Sequence, residues 1–159
     1  MKFYTIGVYN STEKVFFEKL TENGIDTFCD IRQRRGVRGS KYSFVNSKKL
    51  QSKLAELNIT YKHIIDLAPT SEIRNLQKLA DAQKQELKRN RQELGTVFKS
   101  AYKDKVLRKF DFQEFLIDLK KNNSKRIVLF CVEEHPKACH RSLVTNILER
   151  EHNFNIVHI

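Results

Sequence analysis

The sequence lacks several features that would direct it out of the cytoplasm. No apolar run approaches the roughly 20 residues needed to cross a bilayer, so no membrane span is predicted. Residues 1–7 have neither the apolar core nor the cleavage site of a signal peptide and are typical of a β-strand. The three cysteines, Cys29, Cys131 and Cys139, cannot all pair within one chain, and we predict reduced thiols. These absences predict a cytoplasmic protein.

The sequence also lacks the common catalytic motifs. It has no P-loop, no dinucleotide-binding glycine motif and no nucleophile elbow. Neither Cys131 nor Cys139 is followed by an arginine six positions later, as in the cysteine phosphatase loop. Cys131, His135, Cys139 and His140 offer metal ligands, but not at the paired spacing of a structural zinc site. No metal site is therefore predicted, and the cofactor stays unknown.

Acidic side chains are scarce in two parts of the chain, although the whole sequence carries 30 basic and 19 acidic residues. Residues 71–110 contain eleven basic and five acidic side chains. Residues 31–55 contain no acidic side chain and eight basic ones: Arg32, Arg34, Arg35, Arg38, Lys41, Lys48, Lys49 and Lys53. Two basic blocks on a nearly neutral frame predict an anionic partner. The alternative is the solvated face of a generally basic protein.

Apolar segments with strand and helix periodicity alternate along the chain. The predicted strands are 3–8, 25–31, 59–65, 126–132 and 153–159. This order predicts an α/β fold: a single Rossmann-like three-layer domain over 1–159 with a mainly parallel sheet of about five strands. A helical insertion is predicted near 70–110. It begins with a long helix that carries Ile73, Leu76, Ala80 and Leu87 on one stripe and that Gly95 ends.

Polar and reactive side chains follow the ends of two predicted strands. Asp30 and Arg32 close the second strand, and Glu133 follows the fourth. The sequence Cys139-His140-Arg141 then opens the next helix. Ligands of open parallel sheets bind beyond the carboxyl ends of the strands. We therefore expect positions 30–32 and 131–141 to converge into one positively charged site.

Each residue of this group has a predicted role and a plainer alternative. Arg32 and Arg141 are predicted to hold an anion beside a helix start, with Arg35 and Arg38 from the neighbouring loop. Asp30, Glu133 or His140 would transfer a proton, and Cys139 is a candidate nucleophile or a shaper of the helix start. The plainer alternatives are that Arg141 pairs with Glu133 or Asp30 to pin the loop, that His140 bonds backbone carbonyls, and that Cys139 packs as a structural residue.

The ligand class stays open between two options. The basic loop at 32–41 is followed by Tyr42 and Phe44, a composition typical of a nucleic-acid contact. The same loop could instead close over a small phosphate-containing ligand. A non-catalytic DNA- or RNA-binding module, or a structural or regulatory protein, are the alternatives to an enzyme-like pocket, and the oligomeric state is unknown.

Several short stretches resemble one family across nearly the whole chain. They are Thr5-Ile6-Gly7, Asp30-Ile31-Arg32, Tyr61-Lys62-His63, Cys131-Val132-Glu133, Cys139-His140-Arg141 and Val157-His158-Ile159. With these residues the chain resembles the domain of unknown function 488 family. The resemblance implies a Rossmann-like α/β domain, found mostly in prokaryotes and their mobile elements, with no assigned reaction.

Two positions depart from the usual pattern of that family. Val8-Tyr9 stand where the family usually has His-Ser, and Ala68 stands where it usually has glycine. If the first-strand histidine belongs to a family active site, this chain lacks it.

Overall fold

A computed structural model describes residues 1–85, 87 and 92–159. The strands are β1 (Lys2–Ile6), β2 (Thr27–Asp30), β3 (Thr60–His63), β4 (Arg126–Phe130) and β5 (Ile156–His158). The helices are α1 (Glu13–Glu22), α2 (Ser47–Glu56), α3 (Ser71–Gln83), α4 (Thr96–Tyr102), α5 (Phe112–Lys121) and α6 (Arg141–Arg150). A π-helical segment, Lys103–Leu107, continues α4. Within the described ranges, no helix has the length and apolar character of a membrane span.

The five strands form one parallel sheet in the order β3-β2-β4-β1-β5. Successive residues of a strand point to opposite faces, and all residues of β2 and all but the first of β1 and β4 are buried. Both faces of the central sheet are therefore covered, as parallel sheets require. The predicted α/β class, with about five parallel strands in a Rossmann-like three-layer arrangement, is confirmed.

An aromatic cluster fixes α1 against the central strands. Thr12 caps α1 by accepting a hydrogen bond from the Val15 N–H. One turn further, the ring of Phe16 lies 5.5 Å from Phe130 of β4 and 6.4 Å from Phe28 of β2, between ring centroids. Such edge-on ring contacts stabilise beyond the area that they bury. This packing holds β2 beside β4, so the carboxyl ends of both strands lie together.

Within the region 70–110 the structure has helices over 71–83 and 96–107, and the first of them is shorter than predicted. Helix α3 ends at Gln83 because Gln85 adopts a left-handed backbone with φ of 51°. Leu87, predicted on the apolar stripe of this helix, is exposed instead. Residues 84, 85, 87 and 92–94, also expected in this helix, are not helical, and residues 86 and 88–91 lie outside the described residues. The chain then returns to the sheet edge, where the Leu94 N–H donates to the Lys137 carbonyl at 3.1 Å.

Gly7 follows β1 at a point where two backbone segments meet. A Cβ atom added there would lie 2.0 Å from the Glu133 carbonyl oxygen and 2.8 Å from its carbon. A side chain at this position would have no space, because both neighbouring atoms belong to the backbone and cannot rotate away. The absence of a side chain at Gly7 therefore lets the loop after β4 pack against the end of β1.

We expect Gly7→Ala to lower the free energy of unfolding by about 1–2 kcal/mol, because overpacking forces the two backbones apart. Denaturant unfolding followed by circular dichroism measures this loss. The matched control is Gly36→Ala, where the nearest atom to an added Cβ is Asn46 Oδ1 at 3.8 Å. A loss of the same size in both variants would contradict the role of close approach.

Candidate functional site

The carboxyl ends of β2 and β4 are neighbours in the sheet. Asp30 pairs in register with Phe130, and the Ile31 N–H donates to the Phe130 carbonyl at 3.3 Å. A second link crosses from the start of α6, where His140 Nε2 donates to the Ile31 carbonyl at 3.0 Å. The structure therefore brings positions 30–32 and 131–140 together, although about a hundred residues separate them in sequence.

Asp30 is fully buried and forms a two-pronged ion pair with Arg32. Arg32 Nε donates to Asp30 Oδ1 at 2.9 Å and Arg32 Nη2 donates to Oδ2 at 2.7 Å. The Tyr61 hydroxyl also donates to Oδ2, at 2.9 Å. Burial and the nearby Asp30 charge raise the pKa of Tyr61 to about 12, so this hydroxyl keeps its proton. Asp30 thus fixes the orientation of the Arg32 side chain. Asp30 itself is not among the residues that line the cavity described below.

Arg32 has one nitrogen left for another partner. Its Nη2 also donates to the Val45 carbonyl at 3.0 Å, and its Cζ lies 4.5 Å from the centroid of the Phe130 ring. Nη1, in contrast, is buried and has no hydrogen-bond partner among the residues that the structure describes. Buried guanidinium donors without a partner are unfavourable. The side chain lies in the wall of a cavity, so a small movement of the wall would let a ligand reach that nitrogen.

This cavity has a volume of about 570 Å³ and lies over the ends of β2 and β4. Its wall includes two acidic side chains, Asp81 and Glu133, and three aromatic ones, Tyr9, Tyr42 and Phe98. Five basic side chains also line it: Arg32, Arg34, Arg38, Arg74 and Lys78. The first three come from the basic block at 31–55 and the last two from α3. Each basic block therefore contributes side chains to the same cavity.

Helix α3 is hydrogen-bonded beside the cavity to the basic loop at 32–41 and to Gly95, the residue before α4. Arg74 Nη1 donates to Gln33 Oε1 at 2.7 Å, and the Gly95 N–H donates to Gln77 Oε1 at 2.9 Å. Three basic residues of the second block, Lys88, Arg89 and Arg91, lie outside the described residues. Because Arg74, Gln77 and Lys78 line the cavity, helix α3 of the insertion lies beside the candidate site. The sequence pattern had predicted the insertion over the site or over one sheet edge.

Two thiols and one imidazole form a buried cluster on the cavity floor. Cys131 Sγ, Cys139 Sγ and one ring nitrogen of His140 all lie within 4.8 Å of one another. Cys131 Sγ also donates to Glu133 Oε2 at 3.2 Å. Cys131, Glu133 and His140 line the cavity, whereas Cys139 is not among the lining residues. These three residues are among the four possible ligands whose spacing had predicted no metal site.

Burial sets the protonation of this cluster. It raises the pKa of Cys131 well above the ordinary thiol range, helped by hydrogen bonding to Cys139 and by the Glu133 charge. At neutral pH this thiol therefore keeps its proton. Burial lowers the pKa of His140, but attraction to Cys131 and Glu133 and the bond to Ile31 give a net rise. Cys131 attracts the imidazolium only once the thiol has ionised, so at neutral pH the carboxylate is the relevant charge.

Arg141 lies on the other side of the loop that follows β4. Its side chain is 1% exposed, and Nη1 and Nη2 donate to the carbonyls of Glu133 and Glu134. These bonds fix the loop after β4. They use backbone carbonyls, whereas the alternative considered from sequence was pairing with the carboxylate of Glu133 or Asp30. Arg141 does not line the described cavity. Its predicted anion contact stays a prediction.

The other predicted residues divide between the cavity and its surroundings. Arg38 lines the cavity, whereas Arg35 does not and instead lies near the Tyr61 hydroxyl, where its charge partly offsets the rise in the pKa of Tyr61. Arg74 and Lys78 were not singled out from sequence. Their spacing of four residues on a helix, which puts them on one face, was the available signal.

The family departures fall at or beside the cavity. Val8 is fully buried, and Tyr9 lines the cavity with its ring centroid 5.4 Å from that of Tyr42. Ala68 is buried and directly precedes Pro69, another lining residue. At Tyr9, where the resemblance leads us to expect serine, this chain therefore presents an aromatic ring to the cavity.

An α/β protein with a basic cavity at the carboxyl edge of a parallel sheet is the class that this fold and site define. The chain belongs to the DUF488 family, since the model described as "Domain of unknown function DUF488" matches residues 12–148. The matched range contains every cavity-lining residue except Tyr9. No curated protein and no solved structure matches the chain.

Proposed function

We propose that the cavity is an enzyme-like pocket for a phosphate-containing ligand, a nucleotide or the end of a nucleic acid. The observation that carries this proposal is Arg32 Nη1, a buried guanidinium nitrogen without a partner among the described residues. Asp30 binds the guanidinium with both carboxylate oxygens, and Tyr61 holds Asp30 in place, so the guanidinium is preorganised. A phosphate oxygen is the acceptor that best matches such a donor.

The charge of the cavity wall supports an anionic ligand. Five basic side chains face two acidic ones across about 570 Å³. Like charges gathered around a partly enclosed space repel one another and raise the local concentration of anions. Because the basic side chains come from two separate segments, a multivalent anion would bridge them. This favours a phosphate ester over an isolated carboxylate.

The size and the aromatic rim favour a nucleotide among phosphate esters. The volume lies within the range of about 300–1,000 Å³ that small-molecule sites occupy. Tyr9 and Tyr42 stand next to each other in the wall, and aromatic faces stack on nucleobases. In this arrangement the base would pack near the tyrosines and the phosphates near Arg32, Arg38 and Lys78.

Two side chains are placed to transfer protons to or from such a ligand. Glu133 and His140 line the cavity, whereas Asp30 is enclosed by its own donors. A carboxylate and an imidazole on one wall are the usual components of general acid–base catalysis. Within this proposal Glu133 and His140 are the catalytic pair, and Asp30 positions Arg32.

The proposal is tested by calorimetry and thermal shift with three probes: inorganic pyrophosphate, a nucleoside 5′-diphosphate and a short single-stranded oligonucleotide. Ligand at about 100 times Kd is expected to stabilise the protein by about 2.7 kcal/mol. The double variant Arg38→Gln/Lys78→Gln should bind at least about tenfold more weakly, since a hydrogen bond to a charged group contributes about 1.5–3 kcal/mol.

The matched control is Lys48→Gln/Lys49→Gln. It removes the same charge from the same chain, but both side chains are exposed on α2 and neither lines the cavity. This control should bind like the unmodified protein. Equal losses in the two double variants would show that only net charge matters, and no binding of any probe at low salt would overturn the proposal.

A non-catalytic nucleic-acid-binding module is the second candidate. The observation that favours it is an exposed basic rim: Arg34, Arg38 and Lys41 are exposed, and Lys41 Nζ lies 5.2 Å from the centroid of the Tyr42 ring. Binding of the oligonucleotide alone, with an affinity that falls steeply as salt rises, would select this candidate. Binding of the nucleoside diphosphate selects the pocket.

A further inference from the structure

We infer that Cys131, Cys139 and His140 form a binding site for a thiophilic divalent metal ion of the zinc class. The inference does not rest on the proposed anion pocket, although His140 and Glu133 belong to both sites. In the metal-bound protein His140 would be a ligand, and proton transfer would fall to Glu133. The inference also reverses the expectation from spacing, which predicted no metal here. Three features support a metal site here: the donor geometry, the orientation of the imidazole and the fold of the loop.

Both sulfur–nitrogen separations are close to those of a tetrahedral site, and the two sulfurs lie within 4.8 Å of each other. His140 Nδ1 lies 3.8 Å from Cys131 Sγ and 3.7 Å from Cys139 Sγ. Zinc binds sulfur at about 2.3 Å and imidazole nitrogen at about 2.0–2.1 Å, so tetrahedral geometry separates these atoms by about 3.6 Å. The observed distances therefore fit one ion with only small side-chain movements.

The imidazole is held in the orientation that a metal ligand needs. Its Nε2 faces the Ile31 carbonyl at 3.0 Å, and a carbonyl only accepts, so Nε2 carries the hydrogen. In the neutral ring the lone pair is then on Nδ1, which faces both sulfurs. Metal-binding histidines usually donate their second ring nitrogen to a carbonyl or carboxylate in this way. The Tyr102 ring packs edge-on against His140 at 5.5 Å and holds it further.

The fold of the loop between Cys131 and Cys139 explains how two cysteines eight residues apart can bind the same metal ion. A 3₁₀ turn, Pro136–Ala138, reverses the chain, and the Cys139 N–H donates to the Pro136 carbonyl at 3.0 Å. Arg141 pins the preceding carbonyls. The turn thus returns Cys139 to the side of Cys131, and His140 follows at once as the residue before α6.

The site opens toward the cavity. Cys131 and His140 line the cavity, as does Glu133, whose Oε2 lies 3.2 Å from Cys131 Sγ. The fourth coordination position is therefore available to that carboxylate, or to water or a ligand that enters from the cavity. Three protein ligands with a fourth position open to a cavity are the pattern of catalytic zinc sites.

The donor set also selects the ion. Two thiolates and one imidazole suit zinc or cobalt and are poor ligands for magnesium or calcium. On binding, the two S–H bonds break, two S–metal bonds form and two protons leave to solvent. The dication and two thiolates are together neutral, which suits a buried position.

The test is cobalt titration of the reduced, chelator-treated protein. We expect one Co²⁺ per chain, with the near-ultraviolet charge-transfer band of thiolate coordination and the visible bands of tetrahedral cobalt, and displacement by one Zn²⁺. Cys131→Ser, Cys139→Ser and His140→Gln should each lose more affinity than the about 10–100-fold lost when a residue that hydrogen-bonds a metal ligand is changed. Cys29→Ser changes the third buried cysteine, outside the cluster, and should keep the bands.

Cobalt titration of the unmodified protein can by itself overturn the inference, so the test does not depend on the folding of any variant. No charge-transfer band under reducing conditions would exclude thiolate coordination. Bands that survive in Cys131→Ser/Cys139→Ser would place the metal elsewhere. Tight binding of Cu(I) without binding of Co²⁺ or Zn²⁺ would contradict the divalent class. Binding of the phosphate probes by the metal-free protein is measured separately and is independent of these outcomes.

Discussion

Asp30→Asn is expected to lower the free energy of unfolding by about 3–5 kcal/mol. The substitution keeps the shape of the side chain and removes its charge. Arg32 is 4% exposed and has no second carboxylate partner among its described contacts, so its guanidinium would stay buried without a counter-charge. Removing one member of a buried ion pair is far more destabilising than the pair is stabilising, because the remaining ion has lost its hydration. Urea unfolding at neutral pH measures the difference.

The surface pair of Lys62 and Asp118 provides the control. Lys62 Nζ lies 2.7 Å from Asp118 Oδ2, the same separation as in the buried pair, but the Asp118 side chain is half exposed. Asp118→Asn should cost about 0–1 kcal/mol. Arg32→Met in the Asp30→Asn background should recover part of the loss, since it removes the unpaired charge. Similar losses for the two carboxylate variants would show that burial does not govern this pair.

The second large effect is expected for Arg141→Lys, at about 3 kcal/mol. Lysine keeps the charge, but it cannot donate from two nitrogens in the fixed geometry that reaches both the Glu133 and the Glu134 carbonyl. At least one of these acceptors would be left buried without its donor. The loop after β4 should then open more often. We therefore also expect faster reaction of Cys131 and Cys139 with a thiol reagent in the native state.

Arg126→Lys is the matched control for this substitution. Arg126 Nη1 also donates to a backbone carbonyl, that of Asn23, at 2.9 Å, but in an exposed position. Its replacement should change stability by no more than about 0.5 kcal/mol. Unchanged thiol reactivity in Arg141→Lys would contradict the idea that this arginine holds the loop closed.

The location of the site was predictable from sequence because topology determines it. Helical segments between strands imply parallel strands, and parallel strands end at the same edge. Asp30-Ile31-Arg32 and Cys131-Val132-Glu133 follow two apolar runs, so their approach follows from the sheet order once β2 and β4 are neighbours. The two basic blocks were equally visible as charge patterns.

The contacts within the site were less predictable, because they depend on loop geometry. A helix start suggests an anion site, yet Arg141 folds back onto the carbonyls of its own loop. The approach of Cys139 to Cys131 depends on a single 3₁₀ turn that spacing alone does not indicate. The early end of α3 depends on the left-handed backbone of Gln85, a residue type without a strong preference for it. Each of these features is decided by tertiary packing.

The sheet order also determines how the protein resists aggregation. Its two edge strands are β3 and β5, and they have only four and three residues. Lys62 lies in the middle of β3, with its ammonium group engaged by Asp118. Short edges and an edge lysine are the common devices against strand-to-strand polymerisation. Extension of the sheet into a second molecule is therefore disfavoured.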